Sequence, residues 1–191
     1  MTHKHAGKHS YIIFHLFFTQ KGFFIMVRFE MQDGGIIDIE LYPDSAPITV
    51  ANFEKLTREG FFDGLHFHRI IPGFVIQGGD PTGTGTGGSA ETIKGEFRAN
   101  GVDNSVSHTK GVLSMARSGS YTYGFDTASS QFFICLDDSC RALDGYYAAF
   151  GKVKDGMETV DAIAAVPTDG GDYPRVVSDT VIIKKATVIP D

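Results

Sequence analysis

Val27-Arg28-Phe29-Glu30-Met31 and Ile37-Asp38-Ile39-Glu40-Leu41 alternate apolar and polar residues, and Gln32-Asp33-Gly34-Gly35 lies between them. Alternation of period two sends one set of side chains to a core and the other to water. Asp-Gly accepts the positive φ of a tight turn, so the stretch reads as a β-hairpin. Working outward, Asp44-Ser45-Ala46-Pro47 precedes Val50, Phe53 and Leu56 at helical spacing, and Gly60 follows. Asp44 or Ser45 is expected to cap this helix, Pro47 to fit its first turn and Gly60 to end it. Asp155-Gly156-Met157-Glu158 has a capping-box pattern and opens a second helix, with Met157, Val160 and Ile163 on one face. Short strands are expected at 66–71, 74–79, 95–99, 111–116, 130–136, 147–153 and 180–188. Two helices among roughly eight strands exclude a βαβ repeat. The expected fold class is mainly β, a closed eight-stranded antiparallel β-barrel capped by two α-helices, because closure removes exposed sheet edges.

Composition narrows the function. The chain has 191 residues, 42% hydrophobic and 21% charged, which suits a single globular domain. Its 23 glycines predict many turns. A net charge of −6 without a basic run argues against a nucleic-acid partner. No apolar run approaches the roughly 18 residues of a membrane span. Two cysteines are too few for a disulfide framework or a four-cysteine zinc site. Cys135 reads as a core residue and Cys140 as a loop residue, both reduced, which implies a reducing compartment and a cytoplasmic location.

Residues 1–25 are a different material. They hold His3, His5, His9 and His15, six aromatics and no acid, leaving 14 basic and 23 acidic side chains to residues 26–191. The apolar run Tyr11–Phe18 is short for a signal peptide, is broken by His15 and is followed by no small-x-small cleavage site. The reading adopted is an N-terminal extension or an upstream start codon, with Met26 opening a domain that spans 26–191.

Several patterns imitate chemistry. Gly83, Gly85 and Gly88 match G-x-G-x-x-G, but Gly95 cuts short any helix that could hold a pyrophosphate, so a mobile turn is expected there. No P-loop motif and no G-x-S-x-G elbow are present. His66 and His68 alternate on a strand with no ligand set nearby, so packing or surface roles are expected, and Asp137-Asp138 reads as a solvated turn.

Phe67-His68-Arg69-Ile70-Ile71-Pro72-Gly73-Phe74-Val75-Ile76-Gln77-Gly78-Gly79-Asp80 is denser in information. It closely resembles the signature of the cyclophilins, the barrel-type peptidyl-prolyl cis-trans isomerases. Gly111–Ala116, Ser130–Cys135 and Leu143-Asp144-Gly145 leading to Ala149–Val153 follow in the family's order. The resemblance covers residues 26–188 and implies an eight-stranded antiparallel barrel with two helices. It also implies an isomerase that assists protein folding, needs no metal or cofactor, and takes proline-containing peptides and folding proteins as partners. No nucleic-acid or membrane partner is implied, and a monomer is expected.

The chemistry asked of such a site is electrostatic. Rotation about an X-Pro bond is slow because the nitrogen lone pair is delocalised, giving a barrier of roughly 18–20 kcal/mol. At the twisted midpoint the lone pair localises on nitrogen, and a fixed cationic donor aimed there interacts most strongly with that state. Arg69 is always charged and offers a rigid fork of donors, so it is the candidate catalytic residue, the role the resemblance also assigns it. By resemblance, Phe74, Val75, Phe133 and Leu143 line a proline pocket. Gln77, Ala116, Arg117 and Gln131 would contact the substrate backbone, with Gly85 at the rim and Tyr147 also at the site. Ala142 stands where well-known members carry Trp, Tyr147 where they carry His, and Arg117 where Asn is common. The pocket is therefore expected to be wider beside Ala142, and affinity for cyclosporin to be weakened. The insertion Arg117–Ser129 is expected to form a flexible loop near the cleft. Two other classes compete: a binding module without turnover, and a nucleotide-dependent enzyme using Gly83–Gly88.

Overall fold

The computed structural model describes residues 25–119, 124–169 and 178–189. The histidine-rich extension therefore lies outside the described residues, apart from Ile25. The strands are β1 (Ile25–Met31), β2 (Ile36–Leu41), β3 (Arg69–Ile71), β4 (Val75–Gly78), β5 (Val112–Met115), β6 (Phe132–Cys135), β7 (Ala149–Asp155) and β8 (Ile183–Ile189). The α-helices are α1 (Pro47–Arg58) and α2 (Met157–Ala164). All strand pairs are antiparallel, in the order β3-β4-β6-β5-β7-β2-β1-β8.

The opening hairpin forms as its alternation dictates. Val27 pairs with Ile39 and Phe29 with Ile37, and Gly34 takes φ +93° at the turn. Val27, Phe29, Met31, Ile37, Ile39 and Leu41 are buried, and Arg28 grips Asp38 across the strands through two 2.7 Å bonds. Inside the curved sheet, Phe29, Phe53, Phe62, Phe67, Phe132 and Phe150 form the centre of the core. Phe53 of α1 meets the rings of Phe62, Phe150 and Phe132 at 4.9, 5.0 and 5.5 Å. Val160 and Ile163 bring α2 onto the same core.

The closed barrel is corrected. The eight-stranded antiparallel sheet is present, but its ladder ends at β3 and β8. β3 is only three residues long, and a 3-10 turn at Asp179–Val181 interrupts the chain before β8. The ends meet instead through a single bridge, His66 with Ile182, and through bonds from Gly64 N to Ile183 O, Ile183 N to Leu65 O and Phe67 N to Val181 O. These bonds occupy groups that an open edge would leave unpaired.

Local expectations are also revised. Residues 95–99 are no strand; a 3-10 turn runs over Arg98–Asn100, with Phe97 buried. Neither Asp44 nor Ser45 caps α1. The buried Glu96 does so from a distance in sequence, accepting from Ile48 N at 3.0 Å and from Thr49 N and Oγ1 at 2.7 Å. A carboxylate there satisfies orphan N–H groups and complements the helix dipole. Gly60, at φ +71°, follows the helix as expected. No capping box forms at α2, whose first flanking residue is Gly156 at φ +88°. Cys140, expected in a polar loop, is buried in a 3-10 turn over Asp138–Leu143: its thiol donates to the Phe74 carbonyl at 3.1 Å, and neither cysteine is in a disulfide. Its hydrogen bond with Cys140, and then burial, push the Cys135 thiol far up.

Candidate active site

The register of three neighbouring strands assembles the site. Arg69 of β3 lies opposite Gln77 of β4, and Gln77 opposite Phe133 of β6. Directly opposed residues share a face, so the three form a row across the outside of the sheet. Ser114 of β5 continues the row beyond Phe133. Val75 and Gln131 fall on the same face by the period of two. That outer face holds a second apolar cluster of Val75, Val112, Phe133, Cys135, Cys140 and Ala149, with Phe74, Ala116, Leu143 and Tyr147 packed against it. Phe132-Phe133-Ile134-Cys135 is apolar without alternation because both of its faces are covered.

A slot of about 140 Å³ opens over this cluster. Arg69, Phe74, Val75, Gln77, Ala116, Arg117, Phe133, Leu143 and Tyr147 line it. A larger trough of about 670 Å³ shares Gln77, Ala116 and Arg117 with the slot, and holds Gly85 and Gln131. All the residues expected at the site thus surround two adjoining cavities. A third cavity of about 420 Å³, lined by Arg117, Gly119, Gly124, Phe125, Ala142, Tyr146 and Tyr147, lies on the Ala142 side. Ala142 borders this cavity and not the slot.

Hydrogen bonds fix the polar rim. Arg69 Nη1 donates to Gln77 Oε1 at 3.2 Å, and Gln77 Nε2 donates to Gln131 Oε1 at 2.7 Å. Gln131 Nε2 then donates to the carbonyls of Gly85 at 3.1 Å and Gly87 at 2.7 Å. The glycine-rich segment is tethered rather than an unbraced turn. The buried Asp80 carboxylate accepts from Thr82 N and Oγ1 at 2.8 Å, Gly85 N at 2.6 Å and Gly87 N at 3.2 Å. Burial alone would raise the Asp80 carboxyl, but those bonds hold it below the usual carboxylate range. The segment packs against the His66 ring, and no helix follows it, which removes the nucleotide reading.

Beneath the slot lies a polar triad that the sequence reading missed, with His108 and Ser114 buried and Asp144 exposed at its outer end. Asp144 Oδ1 accepts from His108 Nδ1 at 2.8 Å, and His108 Nε2 lies 3.0 Å from Ser114 Oγ. An ionised carboxylate accepts only, so Nδ1 carries the proton and the serine hydroxyl donates to Nε2. Burial pulls the His108 imidazole below its ordinary value, against the opposing pull of Asp144. Burial would raise Asp144, but bonds from His108 and Ser107 hold it low. The arrangement has the order of a nucleophilic triad, yet His108 and Ser114 are each 0% exposed, so no substrate reaches the hydroxyl. Its role is support: the His108 ring stacks on Phe133 at 6.1 Å, and Asp144 follows Leu143 directly. His68 is also buried, and among the described residues no partner lies in good hydrogen-bond geometry to its ring nitrogens. Burial lowers its affinity for a proton.

Arg117 is held by rings. Its guanidinium carbon lies 4.7 Å from the Tyr147 centroid, 5.2 Å from Phe125 and 5.3 Å from Phe97. Nε donates to the Tyr146 carbonyl and Nη1 to the Ser118 carbonyl, both at 2.9 Å. The expected flexible loop Arg117–Ser129 includes residues 120–123, outside the described residues. The described part carries the bond from Ser118 N to Thr127 Oγ1 and the bridge from Ala128 to Ile93. No group of three or more metal-ligating side chains occurs among the described residues.

Comparison with known proteins agrees with this geometry. The family profile described as cyclophilin type peptidyl-prolyl cis-trans isomerase/CLD matches residues 26–188. The chain is 53% identical over 130 residues to peptidyl-prolyl cis-trans isomerase B of Bacillus subtilis, covering 68% of this chain and 84% of that protein. It is 44% identical over 151 residues to the isomerase ppi1 of Schizosaccharomyces pombe, covering 78% and 92%. A crystal structure of a cyclophilin type isomerase from Cryptosporidium parvum superposes with a TM-score of 0.76 at 34% identity, over 88% of this chain and 99% of that one. The same protein crystallised in the presence of the dipeptide Ala-Pro gives 0.74 at 33% identity, over 87% and 99%. The chain belongs to the cyclophilin-type peptidyl-prolyl cis-trans isomerases.

Proposed function

We propose that the protein accelerates rotation about X-Pro bonds by electrostatic stabilisation of the twisted amide, with Arg69 as the catalytic donor. The carrying observation is the register row Arg69–Gln77–Phe133, which sets a guanidinium beside an apolar slot sized for a proline ring. Phe74, Val75, Phe133, Leu143 and Tyr147 hold the ring; Gln77, Ala116, Arg117 and Gln131 contact the flanking backbone, with Gly85 at the rim. The bond that Arg69 donates to Gln77 orients the guanidinium before substrate arrives, so little reorganisation is needed during rotation. No covalent bond is made or broken. Lowering the barrier by about 7 kcal/mol corresponds to roughly 10⁵-fold.

The working unit opens at Ile25, which pairs with Leu41 in β1 one residue before the expected start at Met26, and 1–24 are an extension to it. Its clients are proline-containing segments of folding proteins in the cytoplasm, and it acts as a monomer. Cyclosporin binds weakly, because Ala142 leaves open the cavity that a larger side chain would fill. A protease-coupled assay on a short proline peptide tests the proposal. Acceleration of the cis-to-trans step is expected. Peptide binding without acceleration would reduce the site to a binding module.

A further inference from the structure

Three cavities meet at one side chain. Arg117 lines the proline slot, the trough and the Ala142-side cavity together. Two carbonyl bonds and three aromatic rings hold its guanidinium in one place, so a ligand would incur little of the ordering cost of a long side chain. Those bonds use two of the five guanidinium N–H groups. Four of the other described arginines are matched to acids: Arg28 to Asp38, Arg58 to Glu54, Arg98 to Asp103 and Arg141 to Asp138. Arg117 has no carboxylate partner among the described residues. None of the described residues lining the three cavities is acidic; the charges there are Arg69 and Arg117, on a chain of net charge −6. A cleft opposite in sign to the whole molecule selects among ligands by charge.

We propose that Arg117 is a specificity-determining residue that receives the side-chain carboxylate of an acidic residue flanking the substrate proline. This rests on the proline-slot reading above. Tyr147 and Arg117 wall both the slot and the cavity containing Ala142 and Tyr146, so a peptide with its ring in the slot carries a neighbouring side chain past the guanidinium. A carboxylate there accepts from the remaining N–H groups, a charge-assisted contact in a half-enclosed space. A lysine at the same place meets the like charge of the Arg117 guanidinium instead.

The test is a peptide series in which Glu, Gln, Lys or Phe is placed, one at a time, at each position flanking a single proline. Dissociation constants and isomerisation rates are read together by NMR titration and exchange spectroscopy. At one flanking position Glu is expected to bind at least about threefold tighter than Gln, and Lys weaker than Gln, as suits a partly exposed ion pair. The Glu advantage should shrink in about 0.5 M salt and vanish in Arg117→Gln. Equal binding of Glu and Gln at every position overturns the proposal, as does a Glu advantage that survives Arg117→Gln. Phe outbinding Glu without salt dependence assigns the cavity to an aromatic side chain and also overturns it. Should Arg117→Gln fail to fold, the Glu-to-Gln ratio and its salt dependence in the native protein decide alone. Failure to isomerise the neutral parent peptide would sink the catalytic reading, while the charge ranking is still read from binding.

Discussion

At the scale of single residues, the site depends on which side of a strand each side chain faces. Arg69 and Gln77 lie 8 residues apart on one hairpin, whereas Phe133 is distant in sequence and joins them only through register. Alternation alone puts Val75 with Gln77 and Gln131 with Phe133, and this much is legible in the sequence. That Arg69 belongs beside Phe133 is not, because strand pairing is non-local; the ordered motifs supplied it. Ala142 offers a direct check on the shape of the site. Ala142→Trp should fill part of the 420 Å³ cavity and raise cyclosporin affinity by tenfold or more, about 1.4 kcal/mol. The native chain has no tryptophan, so the new indole reports its own burial by fluorescence. Unchanged affinity with a buried indole would refute the explanation given for weak binding.

At the scale of elements, helix α1 shows where local reading stops. Its apolar face, its proline at the first position and its terminating Gly60 follow from spacing and propensity. Its cap does not, since Glu96 arrives from 47 residues away. Asp44 is exposed, and neither it nor Ser45 makes a capping bond. Glu96→Ala should therefore cost about 2 kcal/mol or more, because it removes three bonds to a buried carboxylate. Asp44→Ala and Ser45→Ala should each cost less than about 0.5 kcal/mol. Urea denaturation of the three variants checks the order, and a reversed order would contradict the capping scheme. The segment 95–99 was misread for the same reason: its alternation resembles a strand, but Glu96 is turned inward to serve the helix.

At the scale of the whole molecule, one sheet carries two apolar clusters, one inside its curve and one on the outer face beneath the slot. The sequence reveals the first through aromatic residues at strand and helix periods. The second stays hidden, because loops distant in sequence cover it, among them the two segments that carry Asp144 and His108. The buried histidines set how the fold responds to acid. His108 and His68 both bind a proton less readily when folded, so the unfolded chain takes it first. Stability should be level above about pH 6.5 and decline below it, with the low-lying Asp144 and Asp80 adding to the loss at more acidic pH. Thermal denaturation from pH 8 to 5 measures this; His108→Gln should flatten part of the slope, and stability rising as the pH falls would contradict the buried neutral imidazole. Turnover by the folded protein should stay nearly constant from about pH 5.5 to 8, since a guanidinium is a permanent cation and Tyr147 stands where a histidine would. A step in kcat/KM near pH 6.5 would contradict that.

The central claim is that one guanidinium stabilises the rotating bond rather than the resting peptide. NMR exchange spectroscopy on a short proline peptide, with the native protein and Arg69→Ala side by side, reads binding and isomerisation from the same spectra. The account predicts a dissociation constant within about threefold of native and a catalysed exchange rate lower by about 10²-fold. Arg69→Ala that keeps more than about a third of the native exchange rate would contradict it.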